Sequence, residues 1–321
     1  MSVIYYMNSR NSCKMMELIG IISHWDIDGI ASAAMLATAF GVSREYIKLS
    51  STTKIYDYFK EVKKAKVSEV YIADLNPGAE IAEKIVKENK KCQMNIHWID
   101  HHIWDEEAYG IMKQCPNVEI ILSQSSECAS KLIRQTVLRG YQLPPHIEDL
   151  IRLAEDDDTY SNKYELTPKW RIILRWGDWS IRYKTLESWI DGYIWPSWAQ
   201  SFYEQAQKEY SKLMEKAAET AEHSTLEEKK VIFLYPSEKI HPGDLQGYLE
   251  QKRGDKADVY VFVYHKGISL RSKTLDVSLV AKAMGGGGHK YAAGVNLKEA
   301  EDKESLKKKI ASVFKKIYSK V

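Results

Sequence analysis

The order of apolar segments predicts a two-domain α/β protein, with an N-terminal parallel-sheet domain, a smaller C-terminal mixed-sheet domain and a helical linker between them. Three observations predict it. Short strand-like runs alternate with helix-like runs over the first half of the chain, a charged stretch without strand patterning follows, and strand-like runs return near residue 230. The 321 residues suit two domains of ordinary size.

Met1–Glu17 is polar and poorly patterned, without the apolar segment of a secretory signal, and is set apart as an extension, 1–17. Leu18–Ser23 reads as a buried strand, and the alanine-rich Ile30–Phe40 as a helix stopped by Gly41. The unit recurs: strand Glu69–Ala73, helix Ala79–Asn89, strands Asn95–Ile99 and Val118–Leu122, and helix Ala129–Leu138 ending at Gly140. From Pro145 the pattern is helical to about Leu226. The catalytic domain is therefore drawn as 18–198, and the long charged stretch from Ala199 as a linker helix, 199–228. Strands return at Val231–Tyr235, Asp258–Tyr264 and Ser269–Ser272, before helix Val277–Met284, a glycine run and a final Lys/Glu-rich helix. These form a substrate-binding domain, 229–321.

Composition narrows the function. Forty-six Lys and Arg against 44 Asp and Glu leave a net charge of +2, so no global positive field draws the chain to long nucleic acid or anionic membranes. No apolar run approaches the roughly 18–20 residues of a membrane span. Four cysteines without C-x-x-C spacing argue for a reducing compartment and against a thiolate zinc site, and the expected location is the cytoplasm.

Acidic clusters stand where predicted elements end: His24-Trp25-Asp26-Ile27-Asp28-Gly29, Asp74, Asp100-His101-His102 and Asp156-Asp157-Asp158. In an open parallel sheet the carboxyl ends of the strands form the ligand crevice, so these carboxylates converge there. Converging anions repel unless cations neutralise them, and oxygen with imidazole ligands suits Mn²⁺ or Mg²⁺. Two ions about 3.5–4 Å apart, sharing a carboxylate, would activate water for attack on phosphorus. If the first strand runs through Asp26 and Asp28, both leave from one face and each holds one ion. His101 and His102 then diverge, His101 to metal and His102 to the substrate phosphate. Taken singly, each piece has a plainer reading as a turn or helix cap. Their joint placement does not.

The second unusual string is Gly285-Gly286-Gly287-Gly288-His289, followed by Tyr291-Ala292-Ala293-Gly294. Consecutive backbone amides there would cradle phosphate oxygens, with His289 as an added donor. The small residues after it suggest a close-packed helix behind the loop. Arg271, on the preceding strand, supplies a bidentate grip.

Together these strings resemble the DHH-family phosphoesterases with the DHH-associated glycine-rich C-terminal domain, in order, from about residue 20 to 295. The family includes single-strand exonucleases like RecJ, nano-RNases that also dephosphorylate pAp, and cyclic-dinucleotide phosphodiesterases; relatives with another C-terminal domain are pyrophosphatases and exopolyphosphatases. The resemblance implies that Asp26, Asp28, Asp74, His101 and Asp158 hold two Mn²⁺ ions, with Asp74 bridging. It gives the catalytic contact with phosphate to His102, beside Asp100, and the rest of the nucleotide to Arg271, Gly286, Gly287, Gly288 and His289. His24 stands closer to Asp26 than the leading histidine of members where that residue is a ligand, so metal ligand and outer partner both stay open for it. Asp156 and Asp157 stay open as replacements for Asp158.

Six of the nine tryptophans fall between Trp170 and Trp198, interleaved with Arg171, Arg175, Arg182 and Lys184. They read either as a base-stacking platform or as core or dimer surface. The expected substrate is a short single-stranded oligonucleotide or pAp-like nucleotide. Dinucleotide phosphodiesterase, RecJ-like exonuclease, pyrophosphatase or polyphosphatase, and non-catalytic replication scaffold are the alternatives, and a homodimer is left open.

Overall fold

A computed structural model describes residues 18–297 and 302–319. The N-terminal extension lies outside the described residues.

The first sheet has five parallel strands in the order β2-β1-β3-β4-β5, formed by β1 (Ile19–His24), β2 (Ile47–Ser50), β3 (Glu69–Ala73), β4 (Asn95–Asp100) and β5 (Val118–Leu122). The chain reverses direction across β1, which places the ends of β1, β3 and β4 at one crevice. Helix α1 (Ile27–Phe40) is buried almost throughout its first three turns and stops at Gly41 in the left-handed region (φ 66°). On its side of the sheet it packs with α5 (Ala129–Gln135), α6 (His146–Asp158), α7 (Leu166–Trp176) and α8 (Trp179–Ile190). Helices α2 (Ile55–Lys64), α3 (Ala79–Cys92) and α4 (Glu106–Met112) cover the other face.

The short edge strand β2 and the helices α2 and α4 were not legible in the sequence. Four strand residues, IKLS, are too few to show a period, and seven helical ones in α4 make barely two turns.

Helix α9 (Ser197–Glu219) ends before the expected linker does. Glu222–Leu226 is instead β6, the first strand of the second sheet, pairing antiparallel with β7 (Lys229–Leu234). Positive φ at Glu227 (46°) and Glu228 (63°) makes a two-residue hairpin turn there, hidden in the sequence because neither residue is Gly or Asn. Six strands follow the order β10-β11-β9-β8-β7-β6, with β8 (Val259–Tyr264), β9 (Gly267–Ser272), β10 (Gly287–His289) and β11 (Ala292–Asn296). Only β7 and β8 pair in parallel, so the sheet is mixed as expected. Helices α11 (Val277–Ala283) and α12 (Lys303–Tyr318) cover one face, and α9 and α10 (Pro242–Tyr248) the other.

The segment after the glycine run is β11, not a helix. Its small residues let β10 approach: a Cβ on Gly286 would stand 2.1 Å from the Gly294 carbonyl oxygen. The tryptophan segment is largely core. Trp170 and Trp189 are fully buried and meet edge to face at 5.2 Å, and Trp195 and Trp198 pack on Trp170 as well. Only Trp179 is exposed to any extent, at 40%. The segment therefore offers no row of free rings for a base platform or dimer surface.

Candidate active site

Strand β1 ends at His24, one turn earlier than a shared face for Asp26 and Asp28 requires. Asp26 is the N-cap of α1, accepting from the Gly29 amide at 3.1 Å, and Asp28 lies in the first turn. A Cβ on Gly29 would fall 2.2 Å from the His24 carbonyl oxygen, so the tight strand-to-helix turn needs glycine here. Two residues apart on a helix, the carboxylates diverge. Asp26 faces His24 (Nδ1 to Oδ2, 2.6 Å), while Asp28 accepts from the amides of Ala129 (2.6 Å) and Ser130 (2.8 Å) at the start of α5.

Three overlapping donor clusters result, each with its ligand atoms within 4.8 Å: His24, Asp26 and Asp74; Asp28, His101 and Asp158; and Asp74 with Asp100, His101 and His102. Asp74 follows β3 with φ 56°, a strained value for a residue with a side chain, which turns its carboxylate into the crevice. His101 Nε2 lies 3.6 Å from Asp74 Oδ1 and 3.5 Å from Asp158 Oδ2. Among the described residues, Asp74 Oδ2 and His101 Nε2 are buried without any hydrogen-bond partner. Orphaned donor atoms inside a ring of carboxylates are what a divalent cation satisfies. The residues thus fit the expected metal, and their two outer clusters share Asp74 and His101 as neighbours.

The three consecutive acids of α6 separate. Asp156 turns back to Ser161, Lys163 and Tyr164, Asp157 binds Arg171 (2.6 Å), and Asp158 alone reaches the clusters. His101 and His102 do not diverge, because β4 ends at Asp100 and the backbone turns; their ring centroids are 4.4 Å apart. Asp100 is fully buried and positions both. Its Oδ1 takes the His101 amide (2.9 Å) and His102 Nδ1 (2.8 Å), and its Oδ2 takes Trp104 Nε1 (2.7 Å). Trp104 was missed in the sequence, where it reads as one more apolar residue after the motif.

Burial raises the pKa of Asp74 and Asp158 well above the ordinary carboxylate value, and neighbouring carboxylates add to it: Asp26 and Asp28 in each case. Burial also raises Asp28. For Asp26, burial opposes ionisation, but the charge and hydrogen bond of His24 outweigh it and hold the group low. Burial holds His101 below its usual value, so it presents neutral imidazole. At His102 burial works the same way, yet Asp100 prevails and the pKa is raised.

The C-terminal domain closes over this centre. His289 brings its ring to 6.1 Å from His101 and 5.8 Å from His102. A cleft of about 900 Å³ between the domains is lined by His24, Asp26, His101, His102, Asp158, Arg271 and His289, among others. Gly286, Gly287 and Gly288 are not brought into it. They line a second groove of about 1270 Å³ on the far side of His289, and the Gly285 and Gly286 amides are spent on α11 carbonyls. The cradle expected of this run is therefore not turned toward the carboxylates; its strand β10 carries His289 there instead.

The fold and site are those of a two-domain DHH-type protein. Residues 228–316 match the DHHA1 domain family, so the C-terminal domain is a DHHA1 domain. Among curated proteins no match was found. Among solved structures, the chain resembles the DHH domain of a member of the s1p family of ribosomal proteins (TM-score 0.64, 15% identity, 95% of this chain and 87% of the other). It also resembles RecJ with Mn²⁺ from Thermus thermophilus (0.58, 12%, 93% and 52%) and the pGpG-specific phosphodiesterase PggH from Vibrio cholerae (0.53, 13%, 93% and 99%). The chain spans about half the length of that RecJ. The resemblance read from the motifs is borne out at the level of fold and C-terminal domain.

Proposed function

We propose that this chain is a metal-dependent phosphoesterase that hydrolyses short oligonucleotides or pAp-like nucleotides. The observation that carries the reading is the pair of orphaned atoms, Asp74 Oδ2 and His101 Nε2, at the meeting of the donor clusters and facing a cleft. Asp26, Asp28, Asp74, His101 and Asp158 would hold two divalent cations, Mn²⁺ by preference, with Asp74 shared and His24 orienting Asp26. Bound there, the ions supply activation of water and charge compensation for phosphate.

The chain's own groups do the rest. His102, held by Asp100 through Nδ1 and kept protonated by it, donates from Nε2 to a non-bridging phosphate oxygen and stabilises charge that develops there. Arg271 has one Nη engaged with Ser269 and the Leu270 carbonyl, and no carboxylate within ion-pair distance among the described residues. It holds the part of the nucleotide away from the cut.

The cleft supports a small substrate, since its volume lies in the range of small-molecule sites. The far groove sets Asp105, Glu106 and Glu238 against Lys266 and Lys282, which is no basic channel for a long strand. Likeness to PggH supports linear dinucleotides as substrates within the same class. No helix among the described residues is long and apolar enough to cross a membrane.

The test is hydrolysis of 5′-labelled RNA of graded length, beside pAp, a cyclic dinucleotide and polyphosphate, with Mn²⁺ or chelator. Rapid loss of the shortest RNAs or pAp, dependent on metal, is the expected result. Tight Mn²⁺ binding without turnover on any phosphoester would overturn it.

A further inference from the structure

The cleft wall opposite the carboxylates carries a cationic group that no acid neutralises. Arg171 and Arg175 lie one turn apart on α7, and their surroundings differ. Arg171 is buried and fully committed, to Asp157 at 2.6 Å, Asp244 at 2.9 Å and Asn162 at 3.1 Å. Arg175 also lines the cleft, yet it makes no hydrogen bond or ion pair with any described residue. Arg271, on β9 of the other domain, lines the same cleft and likewise lacks a carboxylate partner among the described residues.

His241 stands with them. Its Nδ1 accepts the Gly243 amide at 3.1 Å, which leaves the ring proton on Nε2, and its ring stacks on Tyr160 at 5.3 Å and 13°. Tyr160 is itself tied to Asp244. The imidazole is thus a fixed neutral donor at the cleft wall. Burial, and then the charges of Arg175, Arg171 and Arg271, push its pKa well down. Burial pulls Arg271 down to about 10, with Arg175 contributing. The two free guanidiniums therefore sense each other across the domain boundary, in a partly buried place, with nothing of opposite sign between them. Like charges are kept so close only where a ligand supplies the counter-charge.

We propose that Arg175 and His241 complete, with Arg271, a subsite for a terminal phosphate monoester of the substrate, separate from the phosphate that is cut. The inference rests on the phosphoesterase reading and deepens it: the substrate carries a dianionic phosphate at its far end. A guanidinium from each domain and a fixed imidazole donor match the oxygens of a phosphate monoester, and a hydroxyl end would leave both arginines uncompensated. The same chemistry is offered by the 5′-phosphate of a linear dinucleotide and by the second phosphate of pAp.

Three substrates separate the sources: a 5′-phosphorylated dinucleotide, the same dinucleotide with a 5′-hydroxyl, and pAp, each with wild type, Arg175→Ala and Arg175→Lys. The expected result is a preference of the wild type for a phosphorylated end, lost by about tenfold or more in Arg175→Ala through KM and partly restored in Arg175→Lys. Whichever phosphorylated substrate shows the loss identifies the source. Two readouts do not depend on turnover. Binding of a nucleoside monophosphate to the metal-free protein, by calorimetry in chelator, weakens in Arg175→Ala. The melting temperature of the unliganded variant holds or rises, because a repelling charge has gone. An unaltered preference with the wild type active overturns the subsite and leaves the phosphoesterase reading standing. An equal loss on all substrates with a lower melting temperature makes Arg175 structural and also overturns it. No hydrolysis by the wild type, with Arg175-dependent nucleotide binding retained, overturns the phosphoesterase reading instead.

Discussion

His101 Nε2 stands 3.6 Å from Asp74 Oδ1, within ion-pair range and too far for a hydrogen bond, and among the described residues neither it nor the second Asp74 oxygen finds another partner. That relationship sets the best substitution for testing the centre. Asp74 holds φ 56°, a region asparagine tolerates and most residues do not, so Asp74→Asn keeps the backbone while removing the charge. It is expected to abolish tight Mn²⁺ binding by calorimetry and to cut turnover on the order of 10³-fold. Circular dichroism should show an unchanged fold.

Trp104→Phe removes the indole N–H from Asp100 Oδ2 and keeps most of the edge contact with Trp98. Asp100 then holds both histidines less firmly. Activity is expected to fall roughly 10-fold to 100-fold, the usual effect of losing an outer partner of a metal ligand. The fall should appear in kcat and metal affinity, measured by titration of activity with Mn²⁺, rather than in KM.

The metal-free protein is expected to lose stability as pH rises from about 5 to about 8. The folded-state pKa values of Asp74, Asp158 and Asp28 are raised, so their contribution is fully present below the unfolded carboxylate value and is lost as pH climbs through the folded one. His102, also raised, acts in the same direction above its ordinary value, and His101, lowered, opposes it in part. Asp26 and Asp100 are lowered, so both stay ionised across this window and add no slope. Melting temperatures in chelator at several pH values check this. Mn²⁺ should reverse the trend, since it binds the ionised carboxylates.

Asp244 accepts from Tyr160, Arg171 and Tyr210 and so ties α6, α7 and α9 to α10. Asp244→Ala leaves two buried hydroxyls and half of a buried guanidinium unsatisfied. A loss of about 2–4 kcal/mol in denaturant unfolding is expected. A change below about 0.5 kcal/mol, the range of surface substitutions, would show that water replaces the carboxylate at no cost.

Trp170→Ala and Trp179→Ala separate core from surface within the tryptophan segment. The first removes a fully buried ring and should cost about 3–5 kcal/mol. The second removes a ring that is 40% exposed, stacked through Arg182 toward Trp25, and should shift stability far less. Equal effects would contradict the division.

Local sequence is enough to specify the parallel sheet, the mixed second sheet and nearly the whole roster of the carboxylate centre. Those features are written in local periods and in residue types whose chemistry admits few uses, such as Asp100-His101-His102 after an apolar strand. Matters of direction were left open. Whether Asp26 and Asp28 share a face depends on where β1 stops and α1 begins, a difference of one turn. Which of Asp156, Asp157 and Asp158 faces the other carboxylates depends on α6 docking, which gives one to Arg171 and another to a loop. The glycine run resembled a phosphate cradle, and pairing with β11 made it a strand that carries His289 across the domain boundary. Arg175 and His241 are far apart in sequence, and nothing local marks either as free. Only the closure of one domain on the other settles which charges find partners and which are left facing the cleft.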